Sequence, residues 1–362
     1  MRTVEKHVPP RAAEHWKNRA ATWSWKLNIS AKGKNWVKRS LVSSRALRFA
    51  SRLNAPGVAI LMYHSVMAEP RWHAATLGKI IHSAEIFRRQ MEVIARHYNP
   101  VGLDDVLLFV QGQKQLPPRP VVVTFDDGYA DNFEVAAPIL KEFGISGVFY
   151  VTVACVDKAV PPWVSRLRHA FFSTKKPSWS GLNGQTQSLG NAPQRDQALM
   201  AAFERCARLT GAAQEKFVNT IECELELKPL PNRDKLMMSW EQARELLRQG
   251  HIVGSHTMTH PNLAYVADGE LEFELEQSKQ RLEQELSSPA IHFSYPCPIL
   301  QPHWSARTVQ VCRKLGYRTA VTTNSGPVRE GDDPHALHRV PPTADVDGLR
   351  WNLECTFLGR AM

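Results

Sequence analysis

Short apolar runs that alternate with helix-forming stretches constrain this chain more than any other feature. The runs are "VAILMYH" (58–64), "PVVVTF" (120–125), "GVFYVT" (147–152), "HIVGS" (251–255), "IHFSYP" (291–296) and "RTAVTT" (318–323), with a last short one near 338–340. Between them the period changes to that of a helix. Ser83 stands as the cap of a helix carrying Phe87, Met91 and Ile94, and Gly144 is placed to end a helix over about 131–143. Ser239 and Gln242 have the spacing of a capping box, and Gly250 ends the helix they open. Leu271, Leu275, Leu282 and Leu286 give a long helix, and another runs to Gly316. Strands alternating with helices call for an α/β fold, a parallel sheet covered by helices. Its chemistry is expected at the carboxyl ends of the strands.

Two stretches break this rhythm. Residues 157–235 contain "KKPSWSGLNGQTQSLGNAPQR", rich in turn formers, flanked by helical segments near 163–173 and 196–227. They read as an insertion into a catalytic domain of residues 56–345, followed by a C-terminal segment 346–362. Residues 1–55 read as a basic arm ending in an amphipathic helix over 36–53. Residues 1–52 hold 13 Lys and Arg against Glu5 and Glu14 only, and the rest of the chain holds 32 basic and 33 acidic residues. A net charge of +10 so distributed argues for a basic arm on a near-neutral globule and against a nucleic-acid-binding body. The arm's helix either packs on the domain or lies on an anionic membrane face. With no apolar signal core at the N-terminus, a cytoplasmic chain, peripheral at the inner membrane face, is expected. The six cysteines form no CxxC pair, which fits free thiols better than a thiolate zinc site.

Chemistry-bearing residues cluster after two of the strands. "TFDDG" (124–128) sets Asp126 beside Asp127, and two carboxylates facing one dry site repel unless a dication neutralises one. Alone, the motif reads more readily as a solvated Asp-Gly turn. "SHTMTHPNL" (255–263) holds His256 and His260 four residues apart, so one helical turn would put both imidazoles on one face. Two His and one Asp make a three-ligand metal site with a place left for water, and the second Asp is then a ready base.

Here the sequence resembles the polysaccharide deacetylases, carbohydrate esterases that include chitooligosaccharide and poly-N-acetylglucosamine deacetylases. The resemblance covers roughly residues 57–153 and 237–342. "TFDDGY" and "SHTMTHPNL" look like the family's first two motifs, "FSYPCP" (293–298) is similar to its third, and "LMYHSV" (61–66) looks like the opening strand of the bacterial exopolysaccharide branch. It implies a distorted (β/α) barrel of about seven strands, a divalent metal, usually zinc, and removal of N-acetyl groups from a glycan or lipid-linked sugar. Carried over residue by residue, it implies Asp127, His256 and His260 as metal ligands and Asp126 as base. It also implies a backbone N–H near Cys297 as an oxyanion donor. The arginine that orients the base in many members is absent from the third motif, where Ser294 stands; Arg339 in "LHRV" is the candidate replacement. The acid that protonates the leaving amine has two candidates, His64 in the early Tyr-His pair and His338 in "ALHRV". Tyr129, Tyr295 and Trp304 could line a sugar groove.

Other readings keep the same site. It could cleave O-acetyl esters or a small cyclic amide, or the chain could be a glycan-binding protein without turnover. The intact set of Asp126, Asp127, His256 and His260 weighs against the last.

Overall fold

The structure is a computed structural model that describes residues 57–68, 80–182, 184–227, 235–296 and 302–361. The basic arm with its helix lies outside the described residues, as does Cys297. Seven parallel strands form the barrel: β1 (Ala59–Tyr63), β2 (Pro120–Phe125), β3 (Gly147–Val151), β4 (Ile252–Ser255), β5 (His292–Ser294), β6 (Thr319–Ser325) and β7 (Leu337–Arg339), and the two-residue strand Asn99–Pro100 also pairs with β2. Each barrel strand pairs in parallel with the next in chain order. The ring nearly closes through Val340, whose N–H donates to the Ile60 carbonyl at 2.7 Å and whose carbonyl accepts from Met62 N–H at 3.2 Å. This is the distorted barrel the strand–helix alternation and the resemblance implied.

β2 and β3 are buried along their whole length, which is why "PVVVTF" and "GVFYV" carry no alternating polar face. The covering helices are α1 (Ala84–His97), α2 (Leu103–Val110), α3 (Ala137–Glu142), α4 (Val153–Lys158), α8 (Trp240–Arg248), α9 (Asp268–Leu286), α10 (Ala306–Lys314) and α11 (Val346–Phe357). Ser83 caps α1, its hydroxyl accepting from Ile86 N–H, and Ser239 and Gln242 form the expected capping box of α8. The helix expected from residue 131 opens with a five-residue π-turn, Asn132–Ala136, before α3. The C-terminal segment is helical, and α11 buries Leu349, Leu353 and Phe357 in the main core.

The insertion builds its own small core. It contains α5 (Trp163–Ser173), α6 (Ala192–Cys206) and α7 (Gly211–Glu224), so the single helical stretch expected over 196–227 is two helices. Trp163, Leu167, Phe171, Leu199, Phe203 and Val218 are buried together there. Arg166 ties α5 to α7 through Glu215, Glu222 and the Asn219 amide. No helix among the described residues is long and apolar enough to cross a membrane.

Candidate active site

Asp126 and Asp127 follow β2 at its carboxyl end. Asp127 has φ 76° and Gly128 φ 84°, two consecutive left-handed residues. A Cβ at Gly128 would also meet Val151 at 3.2 Å, so glycine suits this turn on two counts. The turn sends the two carboxylates in different directions. Both are buried, at 2% and 3% exposure.

Asp126 is gripped. Arg339 donates from Nη1 to Oδ1 at 2.8 Å and from Nη2 to Oδ2 at 2.7 Å, a two-point clamp. Arg339 is itself fixed by its Nε–H bond to the Thr322 carbonyl at 2.8 Å. The Ser294 hydroxyl donates to Asp126 Oδ1 at 3.1 Å. Burial by itself would raise the Asp126 carboxyl, but Arg339, with smaller help from His256 and His64, holds the group below its ordinary value. His64 Nε2 stands 4.0 Å from Asp126 Oδ2.

Asp127 has different company. Its Oδ1 lies 3.5 Å from His256 Nε2 and 3.3 Å from His260 Nε2, yet this buried oxygen makes no well-formed hydrogen bond. One ligand atom from each of the three residues lies within 4.8 Å of the others. His256 donates from Nδ1–H to the Ser294 carbonyl at 2.8 Å, which fixes the ring with Nε2 toward Asp127. Burial lowers the His256 imidazole to about 4, leaving it neutral at pH 7. An unpartnered, buried carboxylate oxygen facing two imidazole nitrogens is a donor set that fits a divalent metal.

The two histidines do not share a helical turn. Residues 256–260 form a loop in which Thr257 and His260 both have positive φ, 68° and 62°. The buried Glu274 accepts from the Met258 and Thr259 N–H groups at 2.9 and 2.8 Å, and from the Thr259 hydroxyl. The Thr257 hydroxyl takes His260 N–H at 3.0 Å. These bonds satisfy backbone groups that a helix would have paired internally. The imidazoles still converge, with ring centroids 5.0 Å apart.

A cavity of about 350 Å³ opens over these groups, lined among others by His64, Asp126, Asp127, Tyr129, His256 and His260. Three expected residues lie elsewhere. His338 precedes Arg339 on β7, and strand alternation turns it away; its ring packs against Gly326, where a Cβ would come within 2.8 Å of Nδ1. Tyr295 is core, packed with Phe293 and bonded through its hydroxyl to the His335 carbonyl at 2.8 Å. Trp304 stacks on Tyr295 at 5.2 Å and joins that cluster. Burial takes the Tyr295 ring out of reach of a sugar, while Trp304 stays partly exposed with one face on Tyr295.

The insertion supplies residues that sequence reading missed: Trp163, Arg168 and Phe203 also line the cavity. Trp163 Nε1–H donates to the His260 carbonyl at 2.9 Å, so the insertion braces the metal loop. Only the position of Trp163 at the start of a helix after a Pro pair hinted at this.

A barrel whose strand ends present two buried aspartates, one clamped by arginine and one facing a pair of histidines, is the class of fold and site found in carbohydrate deacetylases. The chain belongs to the polysaccharide deacetylase family, whose model matches residues 113–320. It is a hydrolase of non-peptide carbon–nitrogen bonds that deacetylates polysaccharide. YxkH of Bacillus subtilis (strain 168), named as a polysaccharide deacetylase, is 20% identical over 294 residues, 80% of this chain and 72% of that protein. Among solved structures, the Streptococcus pyogenes deacetylase PplD in complex with acetate shares the fold with a TM-score of 0.55 at 18% identity, over 82% of this chain and 97% of that one. IcaB from Ammonifex degensii gives 0.52 at 19% identity, over 83% and 98%.

Proposed function

We propose that this protein removes N-acetyl groups from an acetamido sugar of a glycan or lipid-linked precursor, with a divalent metal held by Asp127, His256 and His260. The observation that carries the reading is the division of labour between adjacent aspartates. Asp127 Oδ1 is buried without a hydrogen-bond partner and faces two imidazoles, while both oxygens of Asp126 are committed to Arg339. Two nitrogens and one oxygen suit zinc, which is the metal we expect. When bound, such an ion supplies Lewis acidity toward an acetyl oxygen.

The chain's own groups do the rest. Asp126, kept ionised by Arg339, accepts the proton of the attacking water. Holding the carboxylate by two points fixes its orientation and leaves its outer lone pairs for that proton. His64, at the cavity wall near Asp126, gives a proton to the departing amine, which cannot leave as an anion. Trp163 and Phe203 wall the cavity against bulk water. A backbone N–H at Cys297 as oxyanion donor belongs to the same reading. The basic arm would hold the protein at an anionic membrane face, where lipid-linked sugars are met; its excess of positive charge supports this.

The test is acetate release. Metal-loaded protein incubated with N-acetylglucosamine oligomers should free acetate, and chelation should stop it. Acetate release unchanged by complete metal removal would defeat the reading.

A further inference from the structure

Among the described residues, Arg168 is the one cavity-lining arginine or lysine, and the reaction just described does not use it. It sits on α5, in the insertion, and lines the same cavity as Asp126, Asp127, His256 and His260. Its neighbour two residues back shows what a structural arginine looks like in this helix. Arg166 is nearly fully buried and satisfied by Glu215, Glu222 and Asn219 of α7. Positions two apart fall on opposite sides of a helix, so Arg166 meets α7 while Arg168 meets the cavity.

Arg168 has no such partners. Among the described residues no carboxylate comes within ion-pair distance of it, and Tyr129 and then Asp196 act on it only at longer range. Its guanidinium carbon lies 5.2 Å over the Phe203 ring, a contact that engages the face of the group, and among the described residues its N–H groups have no hydrogen-bond acceptor. The group is partly withdrawn from water, and that burial works against its charge. A guanidinium nevertheless stays protonated. A half-desolvated cation without a counter-ion is costly unless a ligand completes it.

The charge balance of the cavity points the same way. Arg339 offsets Asp126. Asp127 offsets half of the charge of a divalent ion, and the two imidazoles contribute none when neutral. Arg168 therefore adds to a surplus of positive charge. A neutral sugar would leave that surplus uncompensated, whereas one oxyanion per substrate would meet it.

We propose that Arg168 selects an anionic substrate, its guanidinium pairing with a phosphate or carboxylate carried next to the acetamido sugar. This rests on the cavity being the deacetylation site, as argued above. Planar, two-point pairing of a guanidinium with either oxyanion is the favoured geometry, and the free N–H edges are available for it.

The test separates this claim from deacetylation by using ligands that cannot be deacetylated. The metal-loaded full chain is titrated calorimetrically with glucose 1-phosphate, methyl glucuronide and neutral methyl glucoside. At least one anionic sugar should bind more tightly than the glucoside, and which one does so distinguishes phosphate from carboxylate. In Arg168→Gln the ratio of anionic to neutral affinity should fall by ~10-fold or more, the usual effect of losing a charge-assisted bond. Arg168→Lys should recover part of it, and circular dichroism and metal content should match wild type in both. Two results would overturn the proposal: anionic sugars binding no better than the glucoside, or Arg168→Gln keeping the wild-type ratio because the metal alone holds the anion. Failure to release acetate from any substrate would instead strike the deacetylase reading and leave the titration to decide this one.

Discussion

Arg339, at the end of the last barrel strand, clamps both oxygens of Asp126, at the end of the second, at 2.8 and 2.7 Å. This pair joins the two ends of the chain's barrel across the site. It also decides which aspartate is free to take a metal, because Asp126 is already engaged. Replacing one member of a buried pair leaves a stranded charge, which typically costs about 3–5 kcal/mol.

Arg339→Met should therefore lower both stability and turnover, and it should move the pH profile in a definite direction. With Arg339 gone, the main opposition to burial is lost and the Asp126 carboxyl should rise, with only His256 and His64 left to hold it down. The acidic limb of kcat/KM should shift to higher pH, because the base is protonated over a wider range. A limb that stays in place, measured on variant protein still folded, would show that Asp126 is not the base.

The two aspartates should separate by measurement. Asp127→Ala, His256→Ala and His260→Ala should each lose most bound metal by elemental analysis. Asp126→Asn should keep the metal but lose turnover by roughly 10²–10⁴-fold, the size of a general-base contribution. Equal metal loss in all four variants would remove the distinction drawn here.

Amide and ester substrates should separate the two histidine candidates for the acid. An amine needs a proton to leave, whereas an activated ester does not. His64→Ala should lose amide turnover by ~10² or more while keeping much of its activity on an activated acetate ester. His338→Ala should affect both alike and modestly, since its ring packs against Gly326 outside the cavity. The reverse pattern would move the acid to His338.

Asp131 gives a pH dependence of stability unrelated to the metal. It accepts a bond from the Ser65 hydroxyl at 2.5 Å, and burial raises its carboxyl to about 6. A group raised on folding stabilises the fold fully below its unfolded value, near 4, and loses that contribution as pH climbs through 6. Asp131→Asn should thus gain on wild type between pH 4 and pH 7 by on the order of 2 kcal/mol. Chemical denaturation at the two pH values checks this, and parallel losses in both proteins would contradict it.

Much of the fold was legible because its signals are local. Apolar runs the length of a strand, the Ser239–Gln242 capping box and the Ser83 cap act within a few residues, and the structure reproduces them. The two aspartates and two histidines were legible as a set because strand ends in a parallel barrel converge whatever their separation in sequence. The loop form of residues 256–260 was not legible. Four-residue spacing suits a helical turn, and it is Glu274, arriving from α9, together with the Thr257 hydroxyl that supplies the acceptors making the loop the better choice. The place of Tyr295 was not legible for a related reason: an aromatic ring stacks on a sugar or fills a core with the same chemistry, and tertiary packing put Tyr295 in the core with the partly exposed Trp304 stacked on it. Sequence alone determined the order of the strands, the metal-type donor set and the basic arm's charge, since these depend on residue type and period. The Arg339–Asp126 pairing was anticipated from the empty arginine slot at Ser294, whereas tertiary structure alone decided its two-point geometry, that His338 faces away and that Arg168 reaches the cavity. Those outcomes depend on which groups burial brings together from distant segments, and no local pattern records that.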